Sequence, residues 1–307
     1  MIVVGVGLGL AACGGTASPD PSGTTPATPT ATATAAAATE EAPEHIHNLA
    51  LVEGVVYLGT HNGLWMEQPD QSIVRVSEVP FDVMGLARAG DRWLASGHAG
   101  AGLDPHANLG LQESTDDGRT WQAVSLAGEI DFHRLVASGN VVIGLSSSDG
   151  VLMKSTDAGR SWKSSARSPI YDLALDPQDP SLIVGTTEEG PIRSEDGGTS
   201  FTPINGAPLI ALLAWADAKL YGVTPEGKIY GSQDGGKSWQ PSGQVAGPPE
   251  AMAADTNTLV VLTGGTVFAS TDGGKTFTPR ITGRGAHYPH DTNCVTELSY
   301  GTSKDPT

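Results

Sequence analysis

Histidine is unevenly placed along this 307-residue chain. Six of its eight histidines (His45, His47, His61, His98, His106 and His133) precede residue 134, and the other two, His287 and His290, lie near the C-terminus in "HYPHD". Carboxylates are interleaved with the first group at Asp82, Asp104, Glu129 and Asp131. Imidazole exchanges protons near neutral pH and is the commonest side-chain metal ligand. The spacing His45-x-His47 would put both rings on one side of a β-strand, because alternate residues share a face. Imidazole with carboxylate forms a ligand set for Zn, Cu, Fe or Ni. Two carboxylates across a glycosidic bond are instead the machinery of most glycoside hydrolases. Deciding between these chemistries requires the elements that carry the residues.

Those elements announce themselves as a repeat. "STDDGRTW" recurs as "STDAGRSW", "SEDGGTSF", "SQDGGKSW" and "STDGGKTF", and the closing aromatics fall at Trp121, Trp162, Phe201, Trp239 and Phe277, at intervals of 41, 39, 38 and 38 residues. Periods of this length mark repeat architectures whose units bury their faces on one another. Within a unit such as "PIYDLALDPQDPSLIVGTTEEGPIRSEDGGTSFTPI", short apolar runs alternate with Gly, Asp and Pro turns, which reads as four strands. Four strands per repeat of this size predict a β-propeller blade.

The repeated motif then has a structural use, at the turn between third and fourth strands. Asp116, Asp157, Asp196, Asp234 and Asp272 can accept backbone N–H groups across that turn, and the Gly two residues later can adopt φ > 0. The closing Trp or Phe covers the sheet. These are joints of a scaffold, and chemistry belongs elsewhere.

The five copies resemble the Asp-box (BNR) repeats of the sialidase-like propellers, a superfamily of sialidases, xyloglucanases, sortilin-type receptors and photosystem assembly factors. The resemblance covers roughly residues 45 to 280 and implies fold more specifically than function. The segments "HIHNLAL", "GTHNGLW", "SGHAGAG", "NLGLQESTDDGRTW" and "DFHRL" further resemble bacterial surface lipoproteins labelled glycosylhydrolase-like. That label implies enzymatic activity by analogy alone. A sialidase would carry an early Phe/Tyr-Arg-Ile-Pro motif, further arginines for the substrate carboxylate and a Tyr–Glu nucleophile pair; no such motif occurs here, so the resemblance does not extend to that activity.

Blades are expected at about 45–79, 80–128, 129–167, 168–206, 207–246 and 247–281, the first lacking the motif. The fold class is thus all-β, a six-bladed propeller, with seven blades the alternative if the tail supplied one more. Strands within a blade alternate direction, so first-strand starts and second-strand ends share the rim opposite the repeated turns. Aligning first strands on "NLAL", "GLAR", "RLVA" and "DLAL" stacks His47, Met84, His133 and Tyr171, with His45, Asp82, Asp131 and Pro169 two residues earlier. His61 and His98 end second strands, and His106 follows in a long connection. The candidate metal ligands are His45, His47 and His133, with Asp82 and Asp131 as ligands or orienters. His61, His98, His106 and Tyr171 form the surrounding ligand rim. The alternatives are a channel lining of water-bound histidines and a non-sialidase glycosidase using Asp82 and Asp131, with Asp104 and Glu129 in reserve. A third possibility is an envelope protein-assembly scaffold. Trp65, Trp93 and Trp215 lie in strand patterns and are expected in the core.

Composition agrees with a turn-dense all-β chain: 38% hydrophobic residues, 40 Gly and 21 Pro. A formal charge of −17 opposes nucleic-acid partners, which require a positive field. The opening "MIVVGVGLGLAACGG" is too short to span a bilayer and resembles a lipobox in which Cys13 would be lipidated, although no Lys or Arg precedes it. Residues 14–43, rich in Thr, Ala and Pro, read as an unstructured tether of roughly 30 Å root-mean-square reach. The expectation is an extracytoplasmic lipoprotein of a bacterial envelope with the domain at 44–281 and a tail at 282–307. Its partners would be the membrane through the anchor and a small ligand, a glycan or an envelope protein. Cys294 would then have no intrachain partner.

Overall fold

A computed structural model describes residues 42–282 except 79, 101–106 and 168. The lipobox Cys13 and the tether, Asp104, His106, Cys294 and the tail histidines lie outside the described residues. Those described contain six four-stranded antiparallel sheets arranged as the blades of a six-bladed β-propeller, and no helix.

Blade one holds β1 (Ile46–Val52), β2 (Val55–Thr60), β3 (Gly63–Glu67) and β4 (Ile73–Arg75). Blade two holds β5 (Asp82–Ala89), β6 (Arg92–His98), β7 (Leu111–Ser114) and β8 (Gln122–Ser125), and blade three β9 (Phe132–Ser138), β10 (Val141–Ser146), β11 (Val151–Ser155) and β12 (Lys163–Arg167). Blade four comprises β13 (Asp172–Leu175), β14 (Ile183–Thr187), β15 (Gly190–Ser194) and β16 (Thr202–Pro203). Blade five comprises β17 (Leu212–Ala216), β18 (Lys219–Val223), β19 (Lys228–Ser232) and β20 (Gln240–Gln244). Blade six comprises β21 (Ala251–Ala254), β22 (Leu259–Thr263), β23 (Thr266–Ser270) and β24 (Thr278–Ile281). Among the described residues each sheet is built from consecutive strands only.

The ring instead closes by packing. Ile46, Leu49, Val56 and Leu58 of blade one form a single apolar cluster with Ala251, Val260, Leu262 and Val267 of blade six. Burying each large aliphatic side chain of this kind stabilises by about 1.5–3 kcal/mol, and no hydrogen-bonded strand is needed. Trp65 is buried in this cluster and Trp93 in the one between blades one and two, as the sequence suggests, whereas Trp215 is half-buried and lines the central channel. The first strands of the blades surround that channel, of about 310 Å³, which is lined largely by Leu, Val and Ala.

The repeated turns take the expected place between third and fourth strands and carry more bonds than expected. In blade two, Asp116 Oδ1 accepts from Thr120 N–H at 2.9 Å and from Ser114 Oγ at 2.7 Å, while Oδ2 accepts from Thr120 Oγ1 at 2.6 Å. The Ser114 hydroxyl oxygen in turn accepts the Gly118 N–H at 2.9 Å. Gly118 has φ +86°, and Asp117 before it also takes a positive φ of +59°. The same network recurs at Asp157, Asp196, Asp234 and Asp272.

Candidate functional site

The opposite rim is built differently. In blades one, two and three the ladder between the first two strands slips by one residue near its rim end, leaving His47, Met84 and His133 as the extra residue. Blade four pairs without a slip, Asp172 opposite Thr186 and Leu173 opposite Gly185. A bulge removes one residue from the pleat and re-aims its side chain. His45 and His47 do stack, with ring centroids 4.5 Å apart, but regular alternation is not the cause. His47 sits in the bulge, and His45 just before β1 is held at φ +30°, a conformation costly for a residue with a Cβ. Asn62 braces that segment, donating to the Ala42 carbonyl at 2.8 Å and accepting from Glu44 N–H at 3.0 Å.

Close blade packing sets the relative position of these groups. Gly85 follows the bulge in β5, where a Cβ would lie 2.3 Å from the Phe132 carbonyl oxygen of blade three. Phe132 N–H donates to Ser96 Oγ at 2.9 Å, and Asn48 of blade one donates to the Met84 carbonyl. The rim of blade two is thereby pinned to both neighbours.

The side chains meet as an alternating chain of imidazole and carboxylate. His61 Nδ1 lies 2.9 Å from Asp82 Oδ2, and His98 Nδ1 lies 3.7 Å from the same oxygen. The other face of His98, Nε2, is 3.2 Å from Asp131 Oδ2, which is 2.6 Å from His133 Nε2. His47 Nε2 faces Asp82 Oδ1 at 3.1 Å. His61 and His98 occupy matching second-strand ends, so each aspartate contacts the histidine that ends the second strand of the preceding blade. Ser147 Oγ completes the set, donating to Asp131 Oδ2 at 3.2 Å.

Burial and charge act strongly here. Burial pushes the Asp82 carboxyl up, but the imidazoles of His47, His61 and His98 outweigh it and hold the group well below the usual carboxylate range. Asp131 is likewise pushed up by burial and pulled down further by His133 and His98, to about 2. His98, between two carboxylates, is raised to about 10 by Asp131 and then Asp82 against the effect of burial. His61 is raised by Asp82, whereas burial lowers His47 and keeps it neutral.

The fit to a metal can be judged from the donor atoms themselves. His47 Nε2 and Asp82 Oδ1 meet each other at 3.1 Å and His133 Nε2 meets Asp131 Oδ2 at 2.6 Å, charge contacts of poor hydrogen-bond geometry, while the buried Asp131 Oδ1 makes no hydrogen bond. Such an atom is costly unless something else satisfies it. Two donor groups stand within metal-binding reach: His45, His47 and His61, and His98, Asp131 and His133, the donor atoms of each within 4.8 Å of one another. Tetrahedral ligands about 2.1 Å from a zinc ion are about 3.4 Å apart; in the second group His98 and Asp131 stand at 3.2 Å, near that spacing, and Asp131 and His133 at 2.6 Å, which an ion would have to part.

Of the residues singled out in the sequence, His45, His47, His61, Asp82, His98, Asp131 and His133 come together. His133 joins His98 and Asp131, while His45 and His47 group with His61. Tyr171 stands exposed at the start of blade four, and Glu129 is exposed before β9. Sequence reasoning missed the buried Asp172, which accepts from Leu213 N–H at 2.8 Å and pairs with Arg134 Nε at 3.1 Å. Burial pushes its carboxyl up, against Arg134 and that N–H. Arg134 also donates to the His133 carbonyl at 3.0 Å, tying the third bulge to blade four. Its signal was the acidic residue of "YDLAL", one place beyond the column of residues compared.

No protein-family model matches the chain, and no curated protein does. Solved structures do. A GH74 enzyme from Niastella koreensis superposes with TM-score 0.58 at 19% identity over 78% of this chain and 45% of its own. A gluconolactonase from Xanthomonas campestris reaches TM-score 0.58 at 11% identity, covering 74% of this chain and 86% of its own. A GH74 xyloglucanase from Xanthomonas campestris gives 0.52 at 17%, covering 78% of this chain and 45% of its own. The chain therefore spans under half the length of the two GH74 enzymes. At these identities the likeness is one of fold.

Proposed function

We propose that this chain is a propeller that binds a transition metal, zinc or copper by ligand chemistry, at the histidine-rich rim of blades one to three. The observation that carries the reading is the gathering at one rim of two donor sets, His45, His47 and His61, and His98, Asp131 and His133, the donor atoms of each within 4.8 Å of one another, with the buried Asp131 Oδ1 left without a hydrogen bond. Neutral His47 is ready to ligate, and the aspartates are ionised as ligands must be. Bound metal would supply a strong positive centre in place of the protons on His61 and His98.

The five repeated turns fit an Asp-box propeller, and the fold likeness to GH74 enzymes and a gluconolactonase raises hydrolysis as the second reading. A glycosidase acid needs a carboxyl with a raised pKa. Asp82 and Asp131 are both held low, which favours ligation over acid catalysis. Lipidation at Cys13 with residues 14–43 as a tether would place the rim at a bacterial envelope surface, where it meets exchangeable metal.

Calorimetric titration of the untagged full chain with Zn(II) and Cu(II), beside the His47→Ala/His133→Ala double variant, tests the proposal. Binding by the wild type that the variant loses is the expected result. Equal binding by both, or binding by neither, refutes it. Turnover of an aryl-glycoside panel, abolished by Asp131→Asn in metal-free protein, would favour the hydrolase.

A further inference from the structure

The buried donor atoms of the rim fall into two pairs. His47 Nε2 and Asp82 Oδ1 face each other at 3.1 Å at the junction of blades one and two. Asp131 and His133 form the other pair in blade three, where His133 Nε2 meets Asp131 Oδ2 at 2.6 Å and Asp131 Oδ1 makes no hydrogen bond. Each pair has its own additional imidazoles, His45 and His61 for the first and His98 for the second. We infer that the rim holds two metal ions, one in each donor set, linked through the Asp82–His98 contact; this deepens the metal reading above and rests on it.

The two sets are chemically unequal. The first offers three imidazoles, His45, His47 and His61, with the Asp82 carboxylate 3.1 Å from the largely buried His47 and 2.9 Å from His61, so that Asp82 would be the fourth ligand. Four protein ligands make a closed site. The second offers His98 Nε2, His133 Nε2 and Asp131, three protein ligands whose two rings are about one-quarter exposed. A three-ligand site keeps a fourth position for water or an incoming anion.

His98 couples the two. Its Nε2 faces Asp131 and the second ion, while Nδ1 faces Asp82 Oδ2, on the carboxylate that ligates the first. At 3.7 Å this contact is longer than a hydrogen bond, so Asp82 would ligate one ion directly and bear on a ligand of the other through its charge.

Metal content after Zn(II) loading and gel filtration, for the full chain and for His47→Gln and His133→Gln, tests the assignment. Thermal melts of the metal-free proteins identify any variant that fails to fold. Two ions per wild-type chain and one per chain in each variant are expected. One ion in the wild type, lost completely in either folded variant, overturns the two-ion arrangement while leaving metal binding intact; no ion in the wild type overturns both. Should His133→Gln not fold, Asp131→Asn replaces it with the same expectation. Co(II)-loaded protein adds a second readout. Azide should shift the visible spectrum of the wild type and of His47→Gln and leave His133→Gln unchanged, and a shift confined to the His47 set contradicts the open site.

Discussion

Aspartate serves two ends of this molecule in opposite ways. In the repeated turns Asp116, Asp157, Asp196, Asp234 and Asp272 lie at the surface, yet each is saturated by hydroxyl and N–H donors from its own loop. At the rim Asp82 and Asp131 are buried and met by imidazoles from their own and neighbouring blades, and Asp131 keeps an oxygen without a hydrogen bond. A carboxylate whose bonds close locally needs nothing further and stabilises a turn. A buried carboxylate with an open lone pair costs free energy until a ligand completes it. Position in the loop and the identity of the donors, rather than residue type, separate scaffold from site.

The comparison breaks most readily at Asp131. Asp131→Asn keeps the shape but removes the charge, and metal affinity at the rim should fall by roughly 100-fold or more, since lesser changes around metal ligands cost 10–100-fold. Asp196→Asn, in a repeated turn, should leave affinity unchanged. Competition with a chromogenic chelator measures both, and equal losses would erase the distinction.

A smaller effect sharpens the scaffold side. The buried Ser194 Oγ accepts the Gly198 N–H at 2.9 Å and donates to Asp196 at 2.8 Å. Ser194→Ala strands that N–H and should cost about 1–2 kcal/mol in urea denaturation without altering metal uptake. A loss of metal with no loss of stability would reverse the roles assigned here.

The smallest effect is a pH slope in metal-free protein. His98 is raised from 6.5 to about 10, so the stabilisation it draws from Asp131 and Asp82 is full below pH 6.5 and is lost as pH rises through about 10. The melting temperature should therefore fall across that window by more in the wild type than in His98→Gln. For Asp131, lowered to about 2, stabilisation is present above pH 3.8 and is lost on acidification through about pH 2. Identical alkaline slopes in the two proteins would remove the charge pairing from the account.

Much of the fold was legible because its signals are local. A period near 40 residues, Gly and Asp turns and an aromatic plug specify one blade and recur five times, and the strand rhythm of residues 45–79 adds the sixth. The rim followed from strand alternation alone, and with it the candidate residues of blades one to three. Their partnerships were not legible, because they depend on register. Sequence cannot place a bulge at His47 and His133, and without it His61 and His98 show no sign of meeting Asp82 and Asp131 across blade boundaries. The imidazoles that hold Asp82 and Asp131 low were likewise hidden, because they reach the carboxylates mostly across blade boundaries. Asp172 was overlooked because its column, one residue on, holds Asn48, Gly85 and Arg134 and carries no common chemistry.

The most direct test of the central claim is anomalous diffraction at the zinc absorption edge from crystals of the chain grown with Zn(II). The account predicts density at the rim, bounded by His45, His47, His61 and Asp82 and by His98, Asp131 and His133. A rim with no anomalous peak, in crystals that hold zinc elsewhere, would contradict it.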